Sequence, residues 1–360
     1  MSTLKLALIG GDGTGPEVTT QAVRALHTVA PKFGITVETA DFDYGGRSIA
    51  RQGVPITDEQ VEELRKFDAI FLGAVGLPSI APGVLEKGLL LKLRFALDLY
   101  INLRPVNLYP GVETPLKDKT AKEIDFVVVR ENTEDLYTGA GGIHRKGTPF
   151  EVATQEMIAT AHGCERACRY AFDLATRRER KHLTLVHKTN VLTYCGDLWK
   201  RTFDRVAKDY PTVETGYHHV DACCMYMATR PEIYDVIVVP NMFGDIITDL
   251  GAAIAGGMGI AASGNLNPNK GAAGMFEPIH GSSPDIAGQN KANPLAACDA
   301  MAMLLGETGR KNGDAQMVKA GEAISAAVKR VTPKFTGKRL DRSGYSTTEI
   351  GDWVVAELSK

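Results

Sequence analysis

Two aspartates four positions apart carry the clearest chemical signal in the sequence. Asp245 and Asp249, in "NMFGDIITDLG", would lie on one face of a helix that begins near Gly244. Like charges at this spacing destabilise a helix, and a bound cation would remove the repulsion. Asp221, in "HHVDACCMYM", could add a third carboxylate, and such oxygen ligands suit Mg²⁺ or Mn²⁺. A helix-dipole pair with an N-cap explains the same pattern without a metal, so both interpretations stay open.

Three arginines occupy positions from which they could bind carboxylates. Arg94 lies in a helical pattern, Arg104 stands just before Pro105, and Arg130 ends the apolar run "FVVVR". A guanidinium group binds a carboxylate through two parallel hydrogen bonds. Any one of the three could instead form a surface ion pair. Three together favour a site for a di- or tricarboxylate.

A tyrosine and a lysine are candidates for proton transfer. Tyr137 lies in the glycine-rich stretch "ENTEDLYTGAGG", where its hydroxyl could donate a proton, although a packing role is equally common. Lys188 and Asn190 follow the apolar run "LTLVH". A lysine that is partly withdrawn from water beside other cations has a lowered pKa and could act as a base.

The elements that must position these residues alternate between strand and helix, which favours parallel strands joined by crossover helices. The predicted strands are "LKLALIG", "ITVETADFDY", "DAIFLGAVG", "DFVVVREN", "HLTLVHKTN" and "YDVIVVPN". The predicted helices begin at Pro16, Thr57, about Gly196 and Gly244, or cover 85–98, 153–177 and 292–306. The glycine-rich run at 251–268 permits a return of the chain between domains, so a discontinuous domain is possible.

The first predicted strand runs into "GGDGTGPE", which resembles a nucleotide-binding loop only in part. A Rossmann fingerprint needs G-x-G-x-x-G, whereas Gly11, Gly13 and Gly15 alternate here and Pro16 follows at once. Asp12 would also place a negative charge beside a pyrophosphate. Asp41 or Asp43 could imitate the ribose-binding acid, which keeps that alternative open. We expect instead that the loop turns sharply and lies close beneath something bound elsewhere.

Composition excludes several classes of protein. The 360 residues favour two domains, and a formal net charge of −2 provides no footprint for nucleic acid or for a polybasic membrane contact. No apolar run is long enough to span a membrane, and the first residues resemble a strand rather than a signal peptide, so a cytoplasmic location is expected. Six cysteines lack the spacing of a zinc site and are expected to be buried thiols.

Several motifs together resemble one family, the β-decarboxylating hydroxyacid dehydrogenases that act on isocitrate, isopropylmalate, homoisocitrate, and tartrate or D-malate. They are "GGDGTGPE", "LRFALDLYINLRP", "VVVRENTEDLYTG", "HKTNV", "NMFGDIITDL" and "FEPIHGSSPDIAGQNKANP". The resemblance covers nearly the whole chain. It implies an α/β fold of the isopropylmalate dehydrogenase type, with mixed sheets flanked by helices and no classical Rossmann fold. A discontinuous cofactor domain would cover 1–102 and 256–360, and 103–255 would bind substrate and metal and form the dimer.

The resemblance also implies where the cofactor binds. NAD would lie along a loop whose contributing residues are Glu277, His280, Gly281, Asp285, Ile286 and Asn293. The carboxylate of Asp285 can accept hydrogen bonds from the ribose hydroxyls and would repel a 2′-phosphate. Relatives that use NADP typically carry Lys-Tyr where this chain has Asp285-Ile286. The expected cofactor is therefore NAD.

The family's catalytic roles transfer to matching positions of this chain. The resemblance implies that Arg94, Arg104 and Arg130 bind the malate carboxylates and that Asp221, Asp245 and Asp249 bind Mg²⁺ or Mn²⁺. Lys188, coupled to Asp221, would take the proton of the C2 hydroxyl, and Tyr137 would protonate the product of decarboxylation. Lys188, Asn190 and Asp221 would reach into the neighbouring subunit's site, which implies a homodimer with shared active sites.

The substituent on C3 of the malate should meet "EKGLLLKLR". Isocitrate enzymes place a serine and an asparagine where this chain has Gly88 and Leu90, and homoisocitrate enzymes an arginine at Leu91. A pocket formed by Leu90 and Leu91 suits an apolar branch, which favours 3-isopropylmalate and a step of leucine biosynthesis. The motif "ENTEDLYTG" and Lys87 keep tartrate, D-malate or another 3-substituted malate open. A non-catalytic regulatory subunit is a further alternative.

Overall fold

The computed structural model describes residues 2–338, 340 and 343–360. The strands are β1 (Ser2–Gly11), β2 (Ile35–Asp41), β3 (Ala69–Ala74), β4 (Ile101–Asn107), β5 (Asp125–Glu131), β6 (Gly141–His144), β7 (Val152–Gln155), β8 (His182–His187), β9 (Glu214–His219), β10 (Val236–Val239), β11 (Ala262–Leu266) and β12 (Gly274–Pro278). The α-helices are α1 (Gly15–Val29), α2 (Gly46–Gln52), α3 (Asp58–Leu64), α4 (Lys92–Ala96), α5 (Ala161–Arg177), α6 (Thr193–Ala207), α7 (Val220–Thr229), α8 (Asn241–Ile254), α9 (Leu295–Asn312), α10 (Ala315–Val331) and α11 (Thr347–Ser359).

The chain divides into two compact units. The first contains Met1–Leu99, Asn107–Ala121 and Ala252–Lys360, and the second contains Tyr100–Val106 and Lys122–Gly251. Residues 107–121 were expected in the second domain but lie in the first unit. The buried hydroxyl of Tyr109 donates to the carboxylate of Asp299 on α9 at 2.6 Å, which holds this segment there. A hydrogen bond between residues so far apart in sequence leaves no local pattern.

The first unit contains strands in the order β2-β1-β3-β12-β11. β1 is parallel to β2 and β3, and β12 is parallel to β3, while β11 is antiparallel to β12. Helix α1 carries Pro16 in its first turn, where the missing N–H costs nothing, and buries Val18, Ala22 and Leu26 at helical spacing. The expected α/β fold with mixed sheets flanked by helices is confirmed.

The second unit contains strands in the order β4-β5-β10-β8-β9. β10 is parallel to β5 and β8, and β8 is parallel to β9. The run of four valines and isoleucines in β10 is wholly buried, as expected for a strand covered on both faces. Strands β6 and β7 form a separate antiparallel hairpin whose residues are exposed.

Two predicted helices differ from the structure. The helix expected over 153–177 begins at Ala161, where the hydroxyl of Thr160 caps it by accepting from the amide of Gly163 at 3.0 Å. Residues 152–155 form β7 instead, because β6 provides a pairing partner that the local pattern does not show. The helix expected over 85–98 is a π-helical turn, Glu86–Leu91, followed by α4. A π-turn of this kind is frequent at functional sites.

Two further expectations concern the cysteines and membrane spans. All six cysteines are free, and Cys164, Cys168, Cys223 and Cys298 are buried, which raises the pKa of each of these four thiols. Cys195 and Cys224 are only half-buried, contrary to expectation. Within the described ranges, no helix combines the length and apolar character that a bilayer crossing requires.

Candidate functional site

Five residues of the second unit form what is called here the Asp245 cluster: Arg104, Arg130, Tyr137, Asp245 and Asp249. Arg130, at the end of β5, is 1% exposed and pairs with the carboxylate of Asp245 on α8. The hydroxyl of Tyr137 donates to Oδ2 of the same carboxylate at 2.8 Å. Arg104 on β4 lies 3.6 Å from Oδ1. Two strands, a 3₁₀ turn and helix α8 therefore bring guanidinium groups, a phenol and carboxylates together, and their use as a carboxylate site stays a prediction.

Hydrogen bonds from neighbouring side chains orient both guanidinium groups. The Nε of Arg130 donates to Oδ1 of Asn241 at 2.9 Å. Arg104 donates from Nε to Asn102 and from Nη1 to the hydroxyl of Thr248, each at 2.6 Å. Sequence reasoning missed these three partners. Asn241 had a usable signal, since it directly follows the buried strand "VIVVP" and opens the helix that carries Asp245.

Helix α8 approaches Arg130 closely because of a glycine. A Cβ atom at Gly244 would lie 2.5 Å from Cγ of Arg130, a distance that real Cβ atoms do not reach. The glycine therefore permits the pairing of Arg130 with Asp245, one residue further on. The 3₁₀ turn Asp135–Thr138 carries Tyr137, and Oδ2 of Asp135 accepts from the amide of Met242 at 2.8 Å. This bond ties the tyrosine turn to the start of α8.

Asp249 lies one turn after Asp245 on α8. Burial raises the pKa of Asp249, and the negative charge of Asp245 raises it further, against the opposing effect of Arg104 and Arg130. A divalent cation would relieve this repulsion, and the carboxylate oxygens suit Mg²⁺ or Mn²⁺. Among the residues that the structure describes, no group of three His, Cys, Asp or Glu side chains could hold a metal ion. Within one chain, Asp221 thus does not join Asp245 and Asp249.

Lys188 and Asp221 form a separate pair in the second unit. Lys188 follows β8, Asp221 lies in the first turn of α7, and Nζ donates to Oδ1 at 2.7 Å. This hydrogen bond lowers the pKa of the Asp221 carboxyl. The lysine side chain is 26% exposed and the aspartate 66%, and Asn190 is exposed beside them. The structure thus brings Lys188 and Asp221 together at the surface.

In the first unit, Arg94 contacts Glu277, whereas Arg104 and Arg130 contact Asp245 in the second unit. The guanidinium of Arg94 on α4 is 3.6 Å from Oε1 of Glu277 on β12, and both side chains are largely buried. The side-chain amide of Asn265 on β11 donates to the same oxygen at 2.9 Å. Leu90 and Leu91, at the end of the π-turn, are half-buried, so part of each remains available to a ligand.

A cavity of about 610 Å³ lies in the first unit, and its volume is within the range of small-molecule sites. His280, Ile286 and Asn293 are among its lining residues, and Gly281 and the exposed Asp285 belong to the same loop. Nε2 of His280 and Nδ2 of Asn293 are buried and have no hydrogen-bond partner in the described part of the chain. Buried polar atoms are normally paired, so two such atoms on residues that line one cavity make these residues candidates for contact with a polar ligand.

The first glycine loop packs against the chain that carries these residues. The amide of Thr14 donates to the carbonyl oxygen of Ser282 at 2.8 Å. Gly13 has φ +57°, and a Cβ atom there would lie 2.0 Å from that oxygen. The space above Gly13 is therefore filled by protein. Asp12 is buried and accepts from the amides of Gly46 and Gly76, at 3.0 and 3.1 Å, so its role is structural.

Comparison with known proteins places the chain in a family. The family model described as isocitrate/isopropylmalate dehydrogenase matches residues 5–354. A 3-isopropylmalate dehydrogenase of Thermobifida fusca is 49% identical over 358 residues, which are 99% of this chain and 98% of that protein. One from Corynebacterium glutamicum is 51% identical over 356 residues, 99% of each chain.

A solved structure gives the same answer for the fold. The crystal structure of isocitrate dehydrogenase from Methylococcus capsulatus has a TM-score of 0.85 to this chain at 32% identity and covers 99% of this chain and 100% of its own. The resemblance inferred from the motifs is confirmed. This chain belongs to the isocitrate/isopropylmalate dehydrogenase family.

Proposed function

We propose that this chain catalyses the NAD-dependent oxidative decarboxylation of (2R,3S)-3-isopropylmalate to 4-methyl-2-oxopentanoate and CO₂, a reaction of leucine biosynthesis. The observation that carries the proposal is the Asp245 cluster, in which two arginines and a tyrosine contact one aspartate. The chain that holds this cluster belongs to the isocitrate/isopropylmalate dehydrogenase family. Arginine binds carboxylates, and tyrosine can transfer a proton. The relatives' identity of about half over their full length supports the choice of substrate.

The arginines would bind and orient the substrate. Arg104 and Arg130 would hold carboxylate groups through the guanidinium edges that their asparagine and threonine partners fix. Arg94 would contribute a further carboxylate contact. Leu90 and Leu91 would receive the isopropyl branch, since a half-buried leucine gains by losing its remaining contact with water.

Two of the chain's own groups would move protons. When the C2 hydrogen leaves as a hydride, the hydroxyl proton would pass to Lys188, whose Nζ already bonds Asp221. After the bond between C3 and the departing CO₂ breaks, its electron pair remains on the carbon skeleton, and the Tyr137 hydroxyl would supply the proton that C3 needs. NAD would supply the hydride acceptor. A divalent cation held by Asp245 and Asp249, together with Asp221 from a second copy of the chain, would supply Lewis acidity at the substrate oxygen.

The placement of Lys188 and Asp221 supports a homodimer with shared sites as part of the proposal. Lys188 and Asp221 both reach the surface of the second unit, where a second copy of the chain would meet them. Phe150, between β6 and β7, is 71% exposed, and Tyr194 on α6 is 91% exposed. Exposed aromatic side chains are enriched at protein–protein interfaces.

Mixing two inactive variants tests the shared site. Lys188→Met and Asp245→Asn should each be inactive alone as homodimers. If Lys188 serves the partner's site, a heterodimer of the two variants contains one site with both residues intact, and activity should return on mixing and subunit exchange. A mixture that stays inactive although heterodimers form, as judged by native mass spectrometry, would contradict sharing.

A panel of substrates tests the proposed reaction. NAD reduction should be compared for 3-isopropylmalate, D-malate, tartrate and isocitrate with Mg²⁺ or Mn²⁺ present. The Leu90 and Leu91 pocket predicts the highest kcat/KM for 3-isopropylmalate, because the pocket gains from the apolar branch. If D-malate or isocitrate exceeded it, the substrate assignment would be wrong.

A further inference from the structure

The chain between β12 and α9 needs support from outside itself. Residues 281–293, called here the 281–293 loop, contain no helix or strand, and most of them are exposed. The same loop carries Asp285, Ile286 and Asn293, which the proposed function assigns to NAD. A loop with so little buried surface keeps a fixed shape only through bonds to other elements.

Glu17, in the first turn of α1, provides such bonds. Its carboxylate accepts from the amide of Gly288 and, at 3.2 Å, from the amide of Asn290. Gly288 and Asn290 have φ of +73° and +56°, a backbone conformation that residues other than glycine adopt rarely. A carboxylate that accepts two backbone N–H groups forms charge-assisted bonds, which are stronger than neutral ones. Glu17 therefore holds two backbone amides of the turn.

A second helix holds the same turn from its other side. The side-chain amide of Asn290 donates to the hydroxyl of Thr348 on α11 at 3.0 Å, and its oxygen accepts from the amide of Thr348 at 3.0 Å. The hydroxyl of Thr347 donates to the carbonyl of Ala292 at 2.6 Å. With Thr14 bonded to Ser282, the loop is held between the starts of α1 and α11.

We propose that Glu17 is a positioning residue for the cofactor, which fixes the 281–293 loop in the shape that binds NAD. This inference rests on the proposed function. Glu17 is not among the residues that line the cavity, so it acts through the loop. Without the carboxylate, NAD would have to order the loop on binding, and that ordering lowers affinity. The last residue of the motif "GGDGTGPE" thereby gains a role in cofactor binding through the loop.

The experiment compares Glu17→Gln with the matched control Glu322→Gln, which changes an exposed glutamate on α10 of the same unit. Calorimetric titration with NAD should show a Kd about tenfold higher for Glu17→Gln and unchanged for the control, a loss of about 1.4 kcal/mol. With saturating NAD, kcat should stay within about twofold of the wild type. Hydrogen exchange should be faster in the 281–293 loop of Glu17→Gln and unchanged in α10.

A wild-type Kd for NAD and a wild-type exchange rate in Glu17→Gln would overturn the inference. If the wild-type chain itself bound no NAD, the proposed function would fail, whereas the exchange rates would still decide whether Glu17 holds the loop. Should Glu17→Gln not fold, Thr348→Val removes one anchor on the other side and keeps the carboxylate. It should raise the Kd in the same direction and by less, and an unchanged Kd would also overturn the inference.

Discussion

The Asp245 cluster of the second unit and the 281–293 loop of the first unit are built in opposite ways. Arg104, Arg130 and Asp245 lie on strands or a helix, and their polar partners belong to the same unit and surround them directly. The loop has no regular structure, and its hold depends on Glu17 and Thr348 in distant helices. The residues of the cluster are thus held by regular secondary structure, whereas the loop is held by hydrogen bonds to other elements.

This difference separates what changes in each region should do. The cluster and the Lys188–Asp221 pair hold the groups that would move protons or bind the substrate, so their variants should lower kcat. Asn293 in the loop and His280 directly before it each hold a buried polar atom with no hydrogen-bond partner among the described residues, and the proposal assigns both residues to NAD. Variants of the loop should therefore weaken NAD binding and leave kcat at saturation nearly unchanged.

Removal of divalent metal should separate the two regions most strongly. After exhaustive chelation, turnover should fall to background, because the carboxylates of Asp245 and Asp249 then hold no Lewis acid for the substrate oxygen. The Kd for NAD, measured on the same sample, should change by less than about twofold. Addition of Mn²⁺ should restore turnover. Undiminished turnover after stripping would refute the metal assignment.

Lys188→Met should have the next largest effect. Loss of the group that takes the hydroxyl proton should lower kcat by about a thousandfold, within the usual range for general acid–base residues. The Kd for NAD should stay at the wild-type value, as measured by calorimetry. Lys200→Met, which breaks a surface pair with Asp204 on α6, is the matched control and should retain full activity. Turnover near the wild-type rate in Lys188→Met would exclude the lysine as the base.

Asp285→Asn should affect only the cofactor. Loss of the charge that would accept from the ribose hydroxyls should raise KM for NAD by about tenfold and leave kcat within about twofold. Asp41→Asn is the matched control, because a Rossmann-type site would use an acid at the end of β2. A larger rise in KM for Asp41→Asn than for Asp285→Asn would reverse the assignment of the cofactor site.

The smallest expected effect concerns pH and stability. Burial raises the pKa of Glu131 in the second unit from 4.5 to about 7. The folded state therefore binds the carboxyl proton of Glu131 more tightly than the unfolded state does. The resulting contribution to the free energy of unfolding is fully present below pH 4.5 and is lost as pH rises through about 7. As pH rises, the wild type should lose on the order of 1–3 kcal/mol of its free energy of unfolding through this group, and Glu131→Gln should not show that loss.

Urea unfolding at mildly acidic and mildly alkaline pH measures this difference. Burial also raises the pKa of Asp299 in the first unit to about 7, so Asp299→Asn is the counterpart there. In each variant the free energy of unfolding should depend less on pH than it does in the wild type. The same pH dependence in wild type and Glu131→Gln would show that the carboxyl does not titrate as described.

The residues of the cluster could be predicted from the sequence because short local patterns identify them. The spacing of Asp245 and Asp249 specifies one helix face, and Arg104 and Arg130 stand in strands whose apolar runs are evident. The loop was predictable only through the family resemblance. Its anchors join residue 17 to residue 290 and residue 290 to residue 348, and no periodicity or composition encodes such contacts.

Two differences show the same limit in the fold. Val152–Gln155 contains two β-branched residues and pairs with β6, whereas the helix was expected to begin at 153. Residues 107–121 lie in the first unit because Tyr109 bonds to Asp299 at 2.6 Å. In both cases a partner far along the chain decides the structure, and a partner of that kind outweighs local preference.

The stoichiometry of products tests the central claim most directly. Purified protein, supplied with 3-isopropylmalate, NAD and Mn²⁺, should form NADH, CO₂ and 4-methyl-2-oxopentanoate in equal amounts, with the acid identified by mass spectrometry. Equal amounts are expected because hydride transfer and loss of CO₂ belong to one turnover. NADH without CO₂, or bound substrate without NADH, would contradict the account.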